Sequence, residues 1–238
     1  PEEFYHELAT NPNHPQTSQP TPGDFRRQYQ YLHSHYNSII SIHLPQIMSG
    51  TYQSAMNASK RVDDSSITVI DGFSASVGLG LIVMKAAELV KDGKDHNEIN
   101  KLLSEIIIST DLFLVAKDLG YLVKGGRLPE WVKTVANFLH ICPVLTTKNN
   151  GRMGVAGIIK GTTDMPDKMS KFVLGKMAPE QPYNVSIGHS NNLSDGKKLK
   201  EKIQRGHHNL NSIYLMDIGC ALGVHAGPGS LAAAIQSF

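Results

Sequence analysis

Short β-branched runs alternate with helical stretches between residues 38 and 116, and this alternation constrains the fold more than any other feature. Residues 38–43 (Ser-Ile-Ile-Ser-Ile-His), 67–70 and 112–116 read as strands. Helical patterns fill the intervals. One opens at Ser49 and one covers 81–91 behind the small-residue run Ser76-Val77-Gly78-Leu79-Gly80; another reaches Ser109 behind a capping box formed by Asp95 and Glu98. An earlier helix starts at Thr21-Pro22-Gly23-Asp24, with Thr21 as N-cap, Pro22 in the first turn and Asp24 as the reciprocal acid, and runs to about Tyr36. A crossover holding a helix brings the next strand back in the same direction, so the expected fold over residues 1–141 is an α/β/α sandwich on a parallel sheet.

The texture changes after Cys142. Residues 143–147 and 152–160 read as a hairpin turned by Lys148-Asn149-Asn150-Gly151, since Asn-Gly accepts the positive φ of a tight hairpin turn. A helix over 163–177, a strand over 183–188, a helix over 194–205 and a strand over 211–216 follow. Residues 142–238 thus predict a second α/β domain, a two-layer mixed sheet with helices on one face, and a cleft between domains is a common ligand site. The chain starts at Pro1 with a helical pattern over 2–8 and no strand before it, so it reads as a fragment of a longer protein.

Composition excludes several classes. Of the 238 residues, 40% are apolar and 18% charged, as in ordinary globular proteins, and no apolar run reaches the length of a membrane span. A net charge of +2, without a basic stripe, argues against nucleic acid as a partner. Two cysteines, Cys142 and Cys220, are too few for a disulfide framework; both are expected to be buried thiols, and with no signal peptide at the start they fit a cytoplasmic protein.

Three segments place hydroxyl and glycine residues at helix starts or tight turns, where backbone N–H groups welcome an anion: Thr17-Ser18-Gln19-Pro20-Thr21-Pro22-Gly23-Asp24, Ser49-Gly50-Thr51-Tyr52-Gln53-Ser54-Ala55 and His225-Ala226-Gly227-Pro228-Gly229. Each segment taken alone reads as caps and turns. Together they suggest one anion site assembled by folding. Ser76-Val77-Gly78-Leu79-Gly80 lacks the third glycine of a dinucleotide fingerprint, Val83 standing in its place, and there is no phosphate-loop motif. Histidine spacing offers no metal site: His33 and His35 point to different helix faces, and His207-His208 reads as an exposed loop. His189, at a strand end, borders the expected cleft.

These motifs, with Leu119-Gly120-Tyr121-Leu122-Val123-Lys124-Gly125-Gly126-Arg127-Leu128 between them, occur in the order seen in the DegV family, which the chain resembles from Pro1 to its C-terminus. The resemblance implies a bacterial fatty-acid-binding protein that carries the acyl chain for a fatty acid kinase. It implies that Thr17 and Ser49 hydrogen-bond the carboxylate, that Gly50 keeps the approach clear, and that Arg127 and His225 complete the polar end of the pocket. It also implies a separate ATP-binding kinase subunit as partner, no catalysis by this chain, and no cofactor beyond the bound fatty acid. Two departures stand out: Asp71-Gly72 replaces the family's Asp-Ser, and Ile141-Cys142-Pro143 replaces Ile-Lys-Pro. Lys124 reads as a solvated surface charge.

Two other functions compete. A lipid-responsive regulatory protein would use the same ligand with a different partner. A serine esterase or thioesterase would use Ser49 and His225 as a dyad, but no nucleophile elbow is present: Gly72-Phe73-Ser74-Ala75-Ser76 lacks the final glycine.

Overall fold

The structure, a computed structural model, describes residues 2–11, 13–63, 65–147 and 150–237. Strands β1 (Ile39–His43) and β2 (Ile67–Asp71) pair in parallel, Ile39 opposite Ile67 and His43 opposite Asp71. Helix α3 (Thr51–Val62) makes the crossover between them. On one side α3 and α2 (Pro22–His33) bury Tyr29, Ala55 and Ala58 with Ile39 and Ile67. On the other, α4 (Ser76–Lys91) and α5 (His96–Ile108) bring Ile82, Ile99 and Leu103 against Ile40, Ile42 and Ile70. Both predicted capping boxes form, Thr21 with Asp24 and Asp95 with Glu98. Helix α2 ends at His33 rather than Tyr36, because Ser34 caps it and the N–H groups of His35 and Tyr36 turn back to Leu32.

The second sheet has six strands in the order β5-β4-β3-β8-β6-β7. They are β3 (Thr110–Val115), β4 (Ile141–Thr147), β5 (Met153–Lys160), β6 (Tyr183–His189), β7 (Leu210–Asp217) and β8 (Leu231–Ser237). Only β6 and β7 are parallel among the described pairs of this sheet. The strand near 112–116 therefore does not extend the parallel sheet, as its place in the alternation suggested. It runs antiparallel between β4 and β8, where both of its faces find apolar partners. Phe113 and Val115 join the core under α8 (Met165–Leu174) and α9 (Leu193–Gly206), while Leu112 packs under α4.

Helix α4 ties the two sheets together. Val77 and Leu81 meet Leu112, Ala232 and Ala234 of the six-stranded sheet, and Ile82 and Ala86 face the core beside β1 and β2. Of the second half's helices, α8 and α9 lie on one face of their sheet, while Leu222 of the helix over Cys220–Ala226 packs on the other face beside α4. This sheet is therefore covered on both faces, and the expected two-layer arrangement with helices on one face is not what forms. Helix α4 begins at Ser76, five residues earlier than the sequence pattern indicated, so Ser76-Val77-Gly78-Leu79-Gly80 is its first turn and not a turn before it. A Cβ at Gly78 would lie 2.3 Å from Ser74 Oγ and 3.3 Å from Leu112 Cβ, so a larger residue there would displace the Ser74 side chain.

Strand β8 has no counterpart in the sequence reading. Ala232, Ala233 and Ala234 favour helix by propensity. In the middle of a sheet covered on both faces, their small side chains let helices approach closely, and Ala232 and Ala234 face α4 while Leu231, Ala233 and Ile235 face α8 and α9. The β4–β5 hairpin forms in antiparallel register; of its expected turn, Lys148 and Asn149 lie outside the described residues, and Gly151 has φ +74°.

Candidate functional site

A cavity of about 720 Å³ lies between the two sheets. Its walls are aliphatic: Leu112, Leu114, Leu145 and Ala232 from the six-stranded sheet, and Leu79 from α4. Leu44, Ile47 and Met48, from the loop after β1, close it from the other side. Helix α10 (Cys220–Ala226) contributes Ala221 and Leu222.

Thr17, Ser49, Gly50, Arg127 and His225 all line this one cavity, although they come from four distant stretches of chain. Thr17 Oγ1 is 2.9 Å from His225 Nε2. Arg127 donates to the carbonyl of Gly125 and, at 3.4 Å, to that of Met48, beside Ser49. The Ser49 hydroxyl is 2.8 Å from Thr51 Oγ1 and accepts from the Thr51 N–H. Gly50 starts α3, and a Cβ on it would lie 2.7 Å from the Gln19 amide nitrogen. The five residues therefore gather at one polar end, with Thr17 exposed and Ser49 and Arg127 half-buried.

His225 is the most enclosed of them, 8% exposed, and its Nδ1 is buried without a hydrogen-bond partner. Burial, with the Arg127 guanidinium and then His14 adding positive field, pushes its pKa down to about 4. The imidazole is therefore neutral at pH 7. Helix α6 (Gly120–Lys124) ends beneath it at Gly125, where a Cβ would lie 2.2 Å from Nδ1. After His225, Gly227 and Gly229 adopt φ of +74° and +83°, so the turn that holds the ring follows from the glycines in the motif.

The sequence reading missed Gln19, Thr51, Ser76, Thr146 and Thr147 as lining residues. Gln19, Thr51 and Ser76 belong to runs already singled out; nothing in the sequence marked Thr146 and Thr147. Lys124 is exposed, and His189 is not on the wall: it is 3% exposed and its Nδ1 lies 3.1 Å from Asp217. His207 is buried rather than exposed, bonded to the Ala178 carbonyl and set edge-on to Tyr183, while His208 is exposed. Cys142 is buried as expected, but Cys220 is exposed at the start of α10. Among the described residues no group of three or more His, Cys, Asp or Glu side chains is placed to hold a metal ion, and no helix is long and apolar enough to cross a membrane.

The sequence model of the DegV family, described as an uncharacterised protein family, matches residues 1–237. A DegV domain-containing protein of Staphylococcus aureus is 31% identical over 230 residues, covering 97% of this chain and 81% of that one. Among solved structures, a DegV lipid-binding protein from Thermotoga maritima superposes with a TM-score of 0.87 at 26% identity, over 100% of this chain and 82% of that one. The fatty acid kinase B3 protein of Streptococcus pneumoniae, loaded with linoleic acid, superposes with a TM-score of 0.87 at 20% identity, over 99% and 83%.

Proposed function

This chain belongs to the DegV family, and on that premise we propose that it binds one long-chain fatty acid, with the acyl chain in the cavity between the sheets and the carboxylate at the polar end. The observation that carries this reading is the Thr17–His225 pair at the mouth of an aliphatic cavity. Burying a methylene contributes about 0.8 kcal/mol, so a sixteen-carbon chain gains on the order of 10 kcal/mol before the entropy of binding takes back several.

The carboxylate is the difficult end, because an unpaired buried charge is costly. With its proton on Nε2, His225 donates to Thr17 Oγ1, and the threonine O–H is left to donate to a carboxylate oxygen. Nδ1 is then a bare lone pair, a less costly group to leave unpartnered than an N–H. The Ser49 hydroxyl supplies a second donor, and Arg127, engaged with two carbonyls, sets the field without being committed to the ligand. Neutral hydroxyl donors leave a carboxylate oxygen nucleophilic.

Such a group suits phosphorylation by a separate ATP-binding subunit, giving an acyl-phosphate. The fatty acid kinase protein among the structural relatives supports that partner, and the lack of a nucleotide motif in this sequence agrees with it. The chain presents the substrate, does not turn it over alone, and acts in the cytoplasm. A Ser49–His225 hydrolase fits the geometry poorly, since the His225 ring is bonded to Thr17 and no acid orients Nδ1.

Mass spectrometry of the purified protein, native and then denatured, tests the reading. The expected result is about one fatty acid per chain, released on denaturation and absent from the Thr17→Ala, Ser49→Ala double variant. A protein that carries no fatty acid and takes up none when it is added overturns the assignment. Acyl-phosphate formation from ATP by this chain alone overturns the division of labour with a kinase.

A further inference from the structure

Thr147, at the end of β4, lines the main cavity and also a second cavity of about 580 Å³. The second cavity runs between β2, α5 and the start of β3, with Val69, Ile70, Phe73, Leu103 and Ile107 among its walls. Three stretches of chain cross from one cavity to the other within a residue or two. Phe73 lines the second and Ala75 the first; Asp111 lines the second and Leu112 the first; Thr147 lines both. The antiparallel pairing of Leu114 with Leu145 brings Leu112 beside Thr147, and Ala75 shares a buried cluster with Leu112. No hydrogen bond joins the Thr147 hydroxyl to another of the described residues. The walls of the second cavity are mixed: the apolar residues Val69, Ile70, Leu103 and Ile107 are joined by Asp71, Asn100 and Asp111, and desolvation pushes the Asp111 carboxyl up from its ordinary value.

We infer that the second cavity receives the far end of acyl chains too long for the first, with Thr147 forming the sill between the two. The inference rests on the fatty-acid reading of the main cavity. It assigns the protein a substrate class, very long or extended acyl chains, that the walls of the first cavity alone do not imply.

The test compares binding of palmitic acid with that of the much longer nervonic acid, by native mass spectrometry and by displacement of a fluorescent fatty acid. Wild type is expected to bind both. Thr147→Phe narrows the sill, and Ser104→Trp, at an exposed position on α5, fills the second cavity from its far side. Each is expected to lower the nervonic-to-palmitic affinity ratio about tenfold, the worth of roughly two buried methylenes. Because Ser104 is exposed and away from the main cavity, its variant keeps the test decisive should Thr147→Phe fail to fold. Wild type that binds palmitic but not nervonic acid overturns the inference and spares the fatty-acid reading, as does an unchanged ratio in the folded variants. Wild type that binds neither overturns both.

Discussion

Thr17 and His225, 208 residues apart in the chain, are joined by a 2.9 Å contact between the threonine hydroxyl and the imidazole Nε2. One sits in the segment before α2 and the other in the last turn of α10, so the contact exists only when both halves of the chain are folded. It closes the polar end of a cavity whose remaining walls are largely aliphatic.

Thr17→Val keeps the shape of the side chain and removes its hydroxyl. Thr17 is exposed, so the fold should persist. Loss of one hydrogen bond to a charged group costs about 1.5–3 kcal/mol, which predicts fatty-acid affinity falling by roughly 10- to 100-fold. Displacement titration of a fluorescent fatty acid measures it, and unchanged affinity removes Thr17 from the carboxylate site.

The pKa of His225, held at about 4 in the folded protein against 6.5 as the ordinary value, predicts a pH dependence of stability. As pH falls, the unfolded chain takes up this proton first. The contribution is therefore fully present above the unfolded pKa, declines between about 6.5 and about 4, and is gone below. The loss amounts to at most about 3 kcal/mol. Burial lowers the pKa of His43 and His14 as well, with the same sign, so the wild type must be compared with His225→Gln. Urea unfolding across that window should show a flatter profile for the variant; equal slopes assign the dependence to other groups.

Gly125→Ala acts on the site without touching a polar group. Its backbone is ordinary, with φ −75°, but the added Cβ would lie 2.2 Å from His225 Nδ1. The ring must move, and with it the contact to Thr17. The expected outcome is a stability loss of about 1–3 kcal/mol, typical of overpacking, and a larger proportional loss of ligand. Wild-type affinity in this variant would show that the imidazole position does not matter for binding.

Ala232→Leu tests the apolar wall. Ala232 is 1% exposed, lines the cavity and sits in central strand β8. Leucine adds three carbons on that wall, displacing about as many methylenes of ligand, so long-chain affinity should fall by about 2 kcal/mol. Bound chains recovered from the variant, identified by mass spectrometry, should be shorter. Recovery of the same chains as from wild type places the acyl group elsewhere.

Much of the local structure was legible before any contact was known. The capping boxes at Thr21 and Asp95 join residues three apart, and the β1–α3–β2 crossover is written in consecutive segments. The hairpin of β4 and β5 is likewise a neighbour-to-neighbour pairing. The motif residues Thr17, Ser49, Gly50, Arg127 and His225 could be picked out because their motifs follow the order of the DegV family; each motif taken alone reads as caps and turns. Other features resisted. Strand β8 carried no strand signal because its alanines have low strand propensity, and Thr146 and Thr147 look like any strand end. His207 resembles a loop residue until the Ala178 carbonyl and Tyr183 enclose it.

The sequence by itself determined most of the elements, two of the helix caps and the turns that carry the polar motifs, because those depend on residues within a few positions of one another. Tertiary structure alone decided that β3 joins the second sheet, that Ala232 to Ala234 form a strand, and that Thr17 meets His225. It also decided that the main cavity abuts a second one at Thr147. The physical reason is that strand pairing and cavity shape are set by which surfaces bury each other. That depends on side chains tens to hundreds of residues apart, whose preferences no local pattern records.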